Sequence, residues 1–188
     1  MMTRRALPLV LPLLLVAACS FLKKSQPRIF PIDKIAATTP AATVTGTRGT
    51  PFAIEGLELP PGIDRREIVV RRADRQLDVR ESDLWAAQLQ PLMLHTLAVD
   101  LASRLPEGML ILPGELRPAA VRSIDVVVED LAVGPDPHIV LDAHWVEGNV
   151  SHREHVAIDV PSLESPNVST GMSQVIAALA DRIASQLR

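Results

Sequence analysis

The sequence predicts an α+β protein, with a largely antiparallel or mixed β-sheet and two main α-helices packed on one face of that sheet. Three observations lead to this prediction. Residues 138–160 alternate polar and apolar side chains around a Gly-Asn pair, which is typical of a β-hairpin. Residues 168–187 repeat apolar side chains at helical spacing. A leucine-rich segment at about residues 82–104 separates two groups of β-rich runs and predicts the other helix.

Composition and charge narrow the classes of function. The 188 residues fit one domain with a sizeable core. The formal net charge is −3, from 19 basic and 22 acidic residues, and no long basic run is present, so we expect no nucleic-acid partner. Aromatic residues make up 3% and tyrosine is missing, which disfavours base-stacking surfaces. A single cysteine excludes an intrachain disulfide and a multi-cysteine metal site.

The N-terminus has the layout of a secretory signal. Arg4 and Arg5 precede an apolar run at residues 6–16, and small residues lead up to Cys19. The run is shorter than the roughly 20 residues of a comfortable membrane span. The alternative, a hydrophobic core helix with a buried thiol, is disfavoured by Pro12 inside the run.

Residues 16–19, "VAAC", resemble a bacterial lipobox. This resemblance implies cleavage between Ala18 and Cys19, lipidation of the Cys19 sulfur and acylation of the new amino terminus. Several acyl chains anchor a protein durably, whereas one chain is marginal. Ser20 in place of an aspartate favours the outer membrane, with the protein facing the periplasm, over the inner membrane. We expect this covalent lipid to be the only bound group, with no cofactor and no metal.

The predicted organisation is therefore a signal peptide at residues 1–18, a lipidated tether at 19–27 and a single domain at 28–188. Residues 28–35 could form an edge strand, because Pro31 cannot donate to a β-ladder. Residues 36–51 are small, polar and turn-rich, which predicts a loop. The β-rich runs at 52–59, 66–72 and 76–80 predict strands, and the last two predict a short hairpin.

The first helix is predicted to start at Ser82 or Asp83, either of which could be its N-cap, and to run to about Arg104. On such a helix, Trp85, Leu89 and Leu92 would line one side. The nearly opposite side would carry Leu94, Leu97, Ala98, Leu101 and Leu105. Pro91 lies between the two sets and could kink the helix so that both turn inward. Otherwise one set would face a partner, and a second copy of the chain is one such partner.

The second half predicts four strands and a helix. Residues 109–112 form a brief strand and 122–133 a longer one, whose apolar phase slips before Leu131 and indicates a bulge. In the hairpin that follows, the Gly148-Asn149 turn sets Trp145 opposite His152 and Leu141 opposite Val156. The closing helix has an apolar face and a solvated side that includes Ser173. Its apolar face is Met172, Val175, Ile176, Leu179, Ile183 and Leu187.

Only weak signals point to chemistry. On the polar face of the hairpin, Asp142 lies opposite His155 and His144 opposite Arg153; two imidazoles and a carboxylate could bind zinc or move protons. A solvated sheet face with favourable cross-strand pairs is the preferred interpretation, because no recognised metal-ligand spacing accompanies the cluster. The sequence contains no GxSxG, P-loop or HExxH motif, so we expect no enzyme. The arginines at residues 65–80 favour a solvated strand face over contact with anionic lipid or an acidic partner.

Residues 59–105 resemble the signature half of the ABC-type transport auxiliary lipoproteins, the group of paraquat-inducible protein C. The matching elements are Leu59-Pro60, Ile63-Asp64-Arg65, the strand that ends at Arg71, and Trp85 with the leucines after it. The strand containing Trp145 fits the second half of the family pattern. The chain departs from that pattern in lacking the opening tyrosines, in Leu84 where an arginine often stands, and in Pro91.

The resemblance implies a non-enzymatic envelope lipoprotein that acts beside a transporter whose periplasmic component carries mammalian-cell-entry (MCE) domains. Such a lipoprotein would dock that component at the membrane for transport of lipids or hydrophobic compounds. Arg65, Arg71, Trp85 and Trp145 then become candidate structural or partner-facing residues. Two alternatives stay open: a lipid-binding carrier or chaperone with an apolar cavity, and a metal hydrolase built on the hairpin.

Overall fold

A computed structural model describes residues 26–37, 49–112 and 114–187, so the predictions for Ala18, Cys19, residues 1–25 and residues 38–48 lie outside the described residues. The strands are β1 (Arg28–Phe30), β2 (Phe52–Glu58), β3 (Glu67–Arg71), β4 (Leu77–Trp85), β5 (Leu110–Ile111), β6 (Arg122–Val133), β7 (His138–Glu147) and β8 (Val150–Asp159). The helices are α1 (Leu89–Ala102) and α2 (Ser165–Gln186).

These strands form two sheets. The larger has the order β5-β2-β6-β7-β8, in which β2 runs parallel to both neighbours and the last three strands are antiparallel. The smaller has the order β1-β4-β3, with β1 parallel and β3 antiparallel to β4. Both helices pack against the larger sheet and against each other, around one hydrophobic core. The predicted α+β class with mixed strand pairing is confirmed.

The β7–β8 hairpin has the predicted register. Trp145 pairs with His152, Leu141 with Val156 and Glu147 with Val150 around the turn. Alternate residues of β7 are buried on the inner face of the sheet, and the polar members face outward. Apolar agreement across two adjacent strands determines this register, because a slip of one residue would move every inner side chain to the solvent face.

The predicted bulge in β6 is also present. Val128 pairs with Ala143 and Asp130 with Asp142, which leaves Glu129 as the extra residue. A bulge re-aims the side chains that follow it. The consequence is that β6 ends in three buried residues, Leu131–Val133, while Asp130 turns toward β3.

The predicted start of the first helix is wrong. Residues 82–85 continue strand β4, where Asp83 pairs with Arg28 of β1 and the Trp85 amide donates to the Arg66 carbonyl over 2.6 Å. The helix begins at Leu89 instead. Pairing with a distant strand has overridden the local N-cap signal of Ser82 and Asp83, as tertiary context commonly does.

This later start also removes the expected kink at Pro91. Pro91 is the third residue of α1, where a backbone N–H has no acceptor within the helix. The fully buried leucine and methionine side chains of α1 then lie on one stripe, four residues apart: Leu89, Met93, Leu97 and Leu101. Leu92 and Leu94 flank that stripe and are half-buried. The expected second apolar face, which would have been exposed to another copy of the chain, is therefore not present on α1.

The closing helix starts three residues earlier than predicted. Every residue of its predicted apolar face is buried: Met172, Val175, Ile176, Leu179, Ile183 and Leu187. The solvated position predicted for Ser173 is wrong, since this residue is only 4% exposed. Its hydroxyl donates to the Ser169 carbonyl and accepts the Asp33 amide over 2.9 Å. Ser173 faces inward because the segment after β1 packs onto α2 at that point.

That segment, residues 31–37, forms a strap across the two helices, so only the first three residues of the predicted edge strand 28–35 are a strand. Side chains of the helices satisfy its backbone in place of a β-ladder. Ser169 donates to the Pro31 carbonyl over 2.6 Å, and Asp100 accepts the Ile35 amide over 2.8 Å. The strap fastens the described N-terminal part of the chain to the helical layer.

Candidate functional site

A cleft opens between the smaller sheet and the end of β6. Its volume is about 150 Å³. Most of its lining is apolar and comes from the loop after β2, from β3 and β4, and from the residues that follow the β6 bulge. The side chains that define it are Ile63, Val69, Leu77, Trp85, Leu131 and Val133. The bulge is what turns β6 so that its last residues can line this cleft.

Two ion pairs stand at the rim of the cleft. Arg71 Nη2 lies 3.1 Å from Asp130 Oδ1, and Arg65 Nε lies 3.1 Å from Glu67 Oε2. All four side chains are between 33% and 44% exposed. Exposed pairs of this kind contribute about 0–1 kcal/mol, so their charges can exchange partners at little cost. An apolar floor with exchangeable charges at its edge suits contact with another protein.

Three of the four residues predicted to be structural or partner-facing, Arg65, Arg71 and Trp85, therefore lie at this cleft. Trp85 is 3% exposed in the floor, Arg71 lines the cleft and Arg65 reaches its rim through Glu67. Trp85 was predicted on a helix; the structure places it at the end of β4. Asp130, which pairs with Arg71, was not anticipated, and only the predicted bulge hinted at its position.

Trp145 lies away from the cleft, in the inner face of β7. It is fully buried, and its ring stacks on His152 with centroids 4.1 Å apart and an interplanar angle of 12°. Its Nε1 has no hydrogen-bond acceptor among the described residues. Trp145 is therefore a core residue, and its packing explains why a tryptophan stands at this position.

A polar network that joins β1, β4 and the start of α2 was missed by sequence reasoning. Asp83 accepts two hydrogen bonds from Arg28, of 2.6 and 2.7 Å, and one from the Ser165 hydroxyl. Arg80 in turn donates to Ser165 over 2.8 Å. The Arg28 guanidinium, followed by the Ser165 hydroxyl, holds the pKa of Asp83 below its usual range despite burial. The network ties β1, β4 and the start of α2 together, and no local signal could have revealed it.

His144 and His155 each pair with a different carboxylate on the outer face of the larger sheet. His155 Nδ1 lies 2.6 Å from Asp142 Oδ1, and His144 Nδ1 lies 3.0 Å from Glu129 Oε1. Arg153 shares the same glutamate. Within the described ranges, no group of three or more His, Cys, Asp or Glu side chains could hold a metal ion. The pairs fit the cross-strand interpretation, and the hydrolase hypothesis gains no support.

The hollows in the described part of the chain bear on the carrier hypothesis. At about 150 Å³, the cleft is smaller than the roughly 300–1,000 Å³ of ordinary small-molecule sites. Two hollows of about 430 and 490 Å³, beside Pro135 and Gly148, are open to solvent. None of these resembles an enclosed acyl-chain cavity. In the same part of the chain, no helix is long and apolar enough to cross a membrane.

Fold and site together describe a packed α+β domain with a small apolar cleft. Residues 34–187 match the family described as "ABC-type transport auxiliary lipoprotein component". Because the match covers most of the chain, the protein belongs to this family, whose members associate with ABC transport systems at the cell envelope.

Solved structures agree on the fold. One uncharacterized protein has a TM-score of 0.70 at 14% identity and covers 87% of this chain and 99% of its own. Protein XCC0632 from Xanthomonas campestris, described as a DUF330 protein, has a TM-score of 0.64 at 14% identity and covers 85% and 94%. No curated protein matches the sequence.

Proposed function

We propose that the protein is a non-enzymatic adaptor, anchored through lipid on Cys19 to the outer membrane and facing the periplasm. It docks the MCE-domain component of an ABC transport system and so assists the movement of lipids or hydrophobic compounds across the envelope. The observation that carries this proposal is the family match over residues 34–187, immediately downstream of a lipobox at 16–19. Anchoring raises the effective concentration of a docking surface at one membrane.

We place the docking surface at the cleft between the sheets. Its volume suits one or two apolar side chains of a protein loop better than an acyl chain. Burial of such side chains against Trp85 and Leu131 supplies affinity, since buried apolar anchors dominate protein interfaces. Arg65 and Arg71 at the rim supply charge complementarity, which sets orientation and the rate of encounter.

Co-isolation from mildly solubilised membranes tests the docking proposal. The anchored protein should recover an MCE-domain protein. The double variant Arg65→Glu/Arg71→Glu should recover much less, because it reverses both rim cations. The matched control is Arg153→Glu/Arg182→Glu, which reverses two cations that also pair with carboxylates but do not line the cleft. Equal recovery by both double variants would move the docking surface elsewhere, and no recovery by the unmodified protein would contradict the adaptor role.

Membrane fractionation tests the anchor separately. Cys19→Ala should abolish lipidation, seen as a loss of acyl mass, and release the protein from membranes. Ser20→Asp should shift the anchored protein from outer-membrane to inner-membrane density. Ser25→Asp adds the same charge beyond the sorting position and should leave the distribution unchanged. An unlipidated but membrane-bound Cys19→Ala protein would contradict the proposed anchor.

A further inference from the structure

The direction of β1 indicates where the chain enters the domain. β1 runs parallel to β4, with Arg28 opposite Asp83 and Phe30 opposite Trp85. In a parallel pair, the residues before Arg28 approach from the side of the residues before Asp83. Going backward along β4 from there leads to Leu77 and then to the β3–β4 turn, residues 72–76. The described chain therefore enters β1 from the side of this turn.

The length of that connection limits its reach. Eight residues lie between Cys19 and Arg28, so the nine Cα-to-Cα steps span at most about 30 Å when fully extended. The eight residues from Asp83 back to Arg75 span at most about 27 Å along a strand. The tether thus reaches about as far from Arg28 as the β3–β4 turn lies from Asp83, so the turn can contact the lipid surface when Cys19 is at a membrane. This step depends on the proposed lipid anchor.

The β3–β4 turn also has a suitable surface. Residues 72–78 are exposed without interruption, and Leu77 is a large apolar side chain that is 50% exposed. Residues 65–80 carry six arginines against three acidic residues, although the sequence is acidic overall. A basic cluster of this kind is attracted to anionic headgroups.

The acidic residues of this segment lie beside arginines of the same segment. Asp74 accepts the backbone amide of Gln76 over 3.1 Å and lies 3.9 Å from Arg72. Asp78 lies 3.9 Å from Arg80. Arg75 makes no ion pair with any described residue, so its charge is available to an external anion.

Arg75 adds an independent observation. Its φ of +69° makes it the only non-glycine residue with a positive φ in the described part of the chain. Glycine or asparagine normally occupies such a position, because a larger side chain is strained there. The turn imposes this conformation, because the Arg75 amide donates to the Arg72 carbonyl and the Arg72 amide donates to the Gln76 carbonyl, and the Arg75 side chain is left exposed. An arginine held at the tip of a protruding turn fits contact with a phosphate-bearing surface.

We propose that the β3–β4 turn rests on the anionic headgroups of the membrane that holds Cys19. Arg72 and Arg75 contact lipid phosphates, and Leu77 lies at the headgroup boundary. The β6–β7 turn lies beside the same end of the molecule, since Gly134 approaches the Arg71 carbonyl and Pro135 shares a hollow with residues 70–74. The β7–β8 turn, at the other end of β7, points away from the membrane.

Site-specific fluorescence on the full lipidated chain tests this orientation. Lipidated Cys19 is unreactive, so Ala73→Cys creates a single free thiol for a fluorophore. The protein is reconstituted in vesicles of phosphatidylethanolamine and phosphatidylglycerol that contain headgroup spin-labelled lipid. The label at residue 73 should be quenched strongly, whereas a label introduced by Asn149→Cys in the β7–β8 turn should not. Equal quenching at both positions, or quenching at residue 149 alone, would overturn the proposal.

Charge variants separate electrostatic contact from simple proximity. In the labelled Ala73→Cys protein, Arg72→Gln/Arg75→Gln should reduce the ratio of quenched to unquenched label about fivefold per arginine, equivalent to about 1 kcal/mol each. Vesicles of phosphatidylcholine alone, which carry no net charge, should reduce this ratio by a similar factor. Arg117→Gln/Arg153→Gln removes two exposed arginines elsewhere and should have no effect. Quenching that ignores both the charge variant and lipid charge would contradict the headgroup contact.

Two further readouts make the outcomes distinguishable. Arg75→Gly relieves the strained φ, so it should keep or raise the melting temperature while it weakens quenching; a fall in both would indicate a folding effect and contradict the role assigned to the guanidinium. Flotation of the unmodified protein with vesicles reports the lipid anchor. Flotation without quenching at residue 73 would reject this orientation and leave the anchor intact, whereas no flotation would reject the anchor itself.

Discussion

Arg104, two residues after the end of α1, donates from Nε to the Oδ1 atom of Asp181 in α2 over 2.6 Å. The Arg104 side chain is 4% exposed, whereas that of Asp181 is 63% exposed. The same guanidinium donates to the carbonyl oxygens of Ile35 and Asp100, each over 2.9 Å. One buried cation thus joins both helices and the strap that leads to the N-terminus.

Replacement of this cation should destabilise the fold strongly. Arg104→Met keeps much of the apolar stem but removes the donor to the Ile35 carbonyl, one of two side-chain donors to the Asp100 carbonyl, and the cation near the buried Asp100 carboxylate. We expect a loss of about 3 kcal/mol in the free energy of unfolding, measured by urea denaturation. Arg153→Met, at a side chain that is 77% exposed, should lose less than about 1 kcal/mol. Equal losses for the two variants would contradict the role of the Arg104 contacts.

Two buried aspartates should respond to pH in opposite directions. Hydrogen bonds from Arg28 lower the pKa of Asp83, so its ionised form stabilises the fold above the ordinary aspartate value of about 3.9. That contribution is lost as the pH falls through the lowered folded value. Burial raises the pKa of Asp100 despite the Ile35 amide and Arg104, so its ionisation opposes folding above the raised value. That opposition fades as the pH falls.

Urea unfolding of Asp83→Asn and Asp100→Asn between pH 7 and pH 3 measures this difference. The deficit of Asp83→Asn relative to the unmodified protein should shrink toward acid pH. Over the same range, the free energy of unfolding of the unmodified protein should rise relative to that of Asp100→Asn. Parallel pH profiles for the two variants would show that one of the assigned directions is wrong.

Gly171 brings α2 close to the larger sheet. A Cβ at this position would lie 2.5 Å from Val160 Cγ1 and 2.7 Å from Ile139 Cδ1, both on buried side chains. Gly171→Ala should therefore lower the free energy of unfolding by about 1–2 kcal/mol, because overpacking outweighs the better helix propensity of alanine. Gln174→Ala, at an exposed position of the same helix, should change it by less than about 0.5 kcal/mol. A stabilised Gly171→Ala protein would mean that the helix moves outward easily.

The strained conformation of Arg75 predicts a stabilising substitution. Arg75→Gly should raise the free energy of unfolding by up to about 1 kcal/mol, since relief of the left-handed conformation exceeds the added entropy of the unfolded chain. Ala73→Gly in the same turn adds that entropy without relieving a positive φ, so it should lower stability. Thermal unfolding compares the two, and a destabilised Arg75→Gly protein would contradict the strain.

Features determined by neighbouring residues could be read from the sequence. The Gly148-Asn149 turn and the alternation on both sides of it determine the β7–β8 register, because turn geometry and the two-residue period act over a few residues. The slip in the apolar phase of β6 located the bulge in the same way. The spacing of apolar residues in α2 identified its buried face, although not the inward position of Ser173.

The start of α1 shows where local reasoning fails. Ser82 and Asp83 are good N-cap residues, yet Asp83 pairs with Arg28, which is 55 residues away in the chain. The carboxylate is stabilised more by a guanidinium and a hydroxyl from other elements than by a helix end. Once residues 82–85 belong to β4, Trp85 leaves the helix and Pro91 falls in the first turn.

The sequence by itself determined the class of fold, the β7–β8 pairing, the bulge, the apolar face of α2 and the family, because each depends on short-range periodicity or on motif order. Only the tertiary structure decided that Trp85 and Arg71 share a cleft while Trp145 lies in the core. It also decided that the strap runs over both helices and that the arginine-rich turn lies on the side from which the chain enters β1. These relationships join residues far apart in the chain, and their energies depend on burial and on partners that no local pattern specifies.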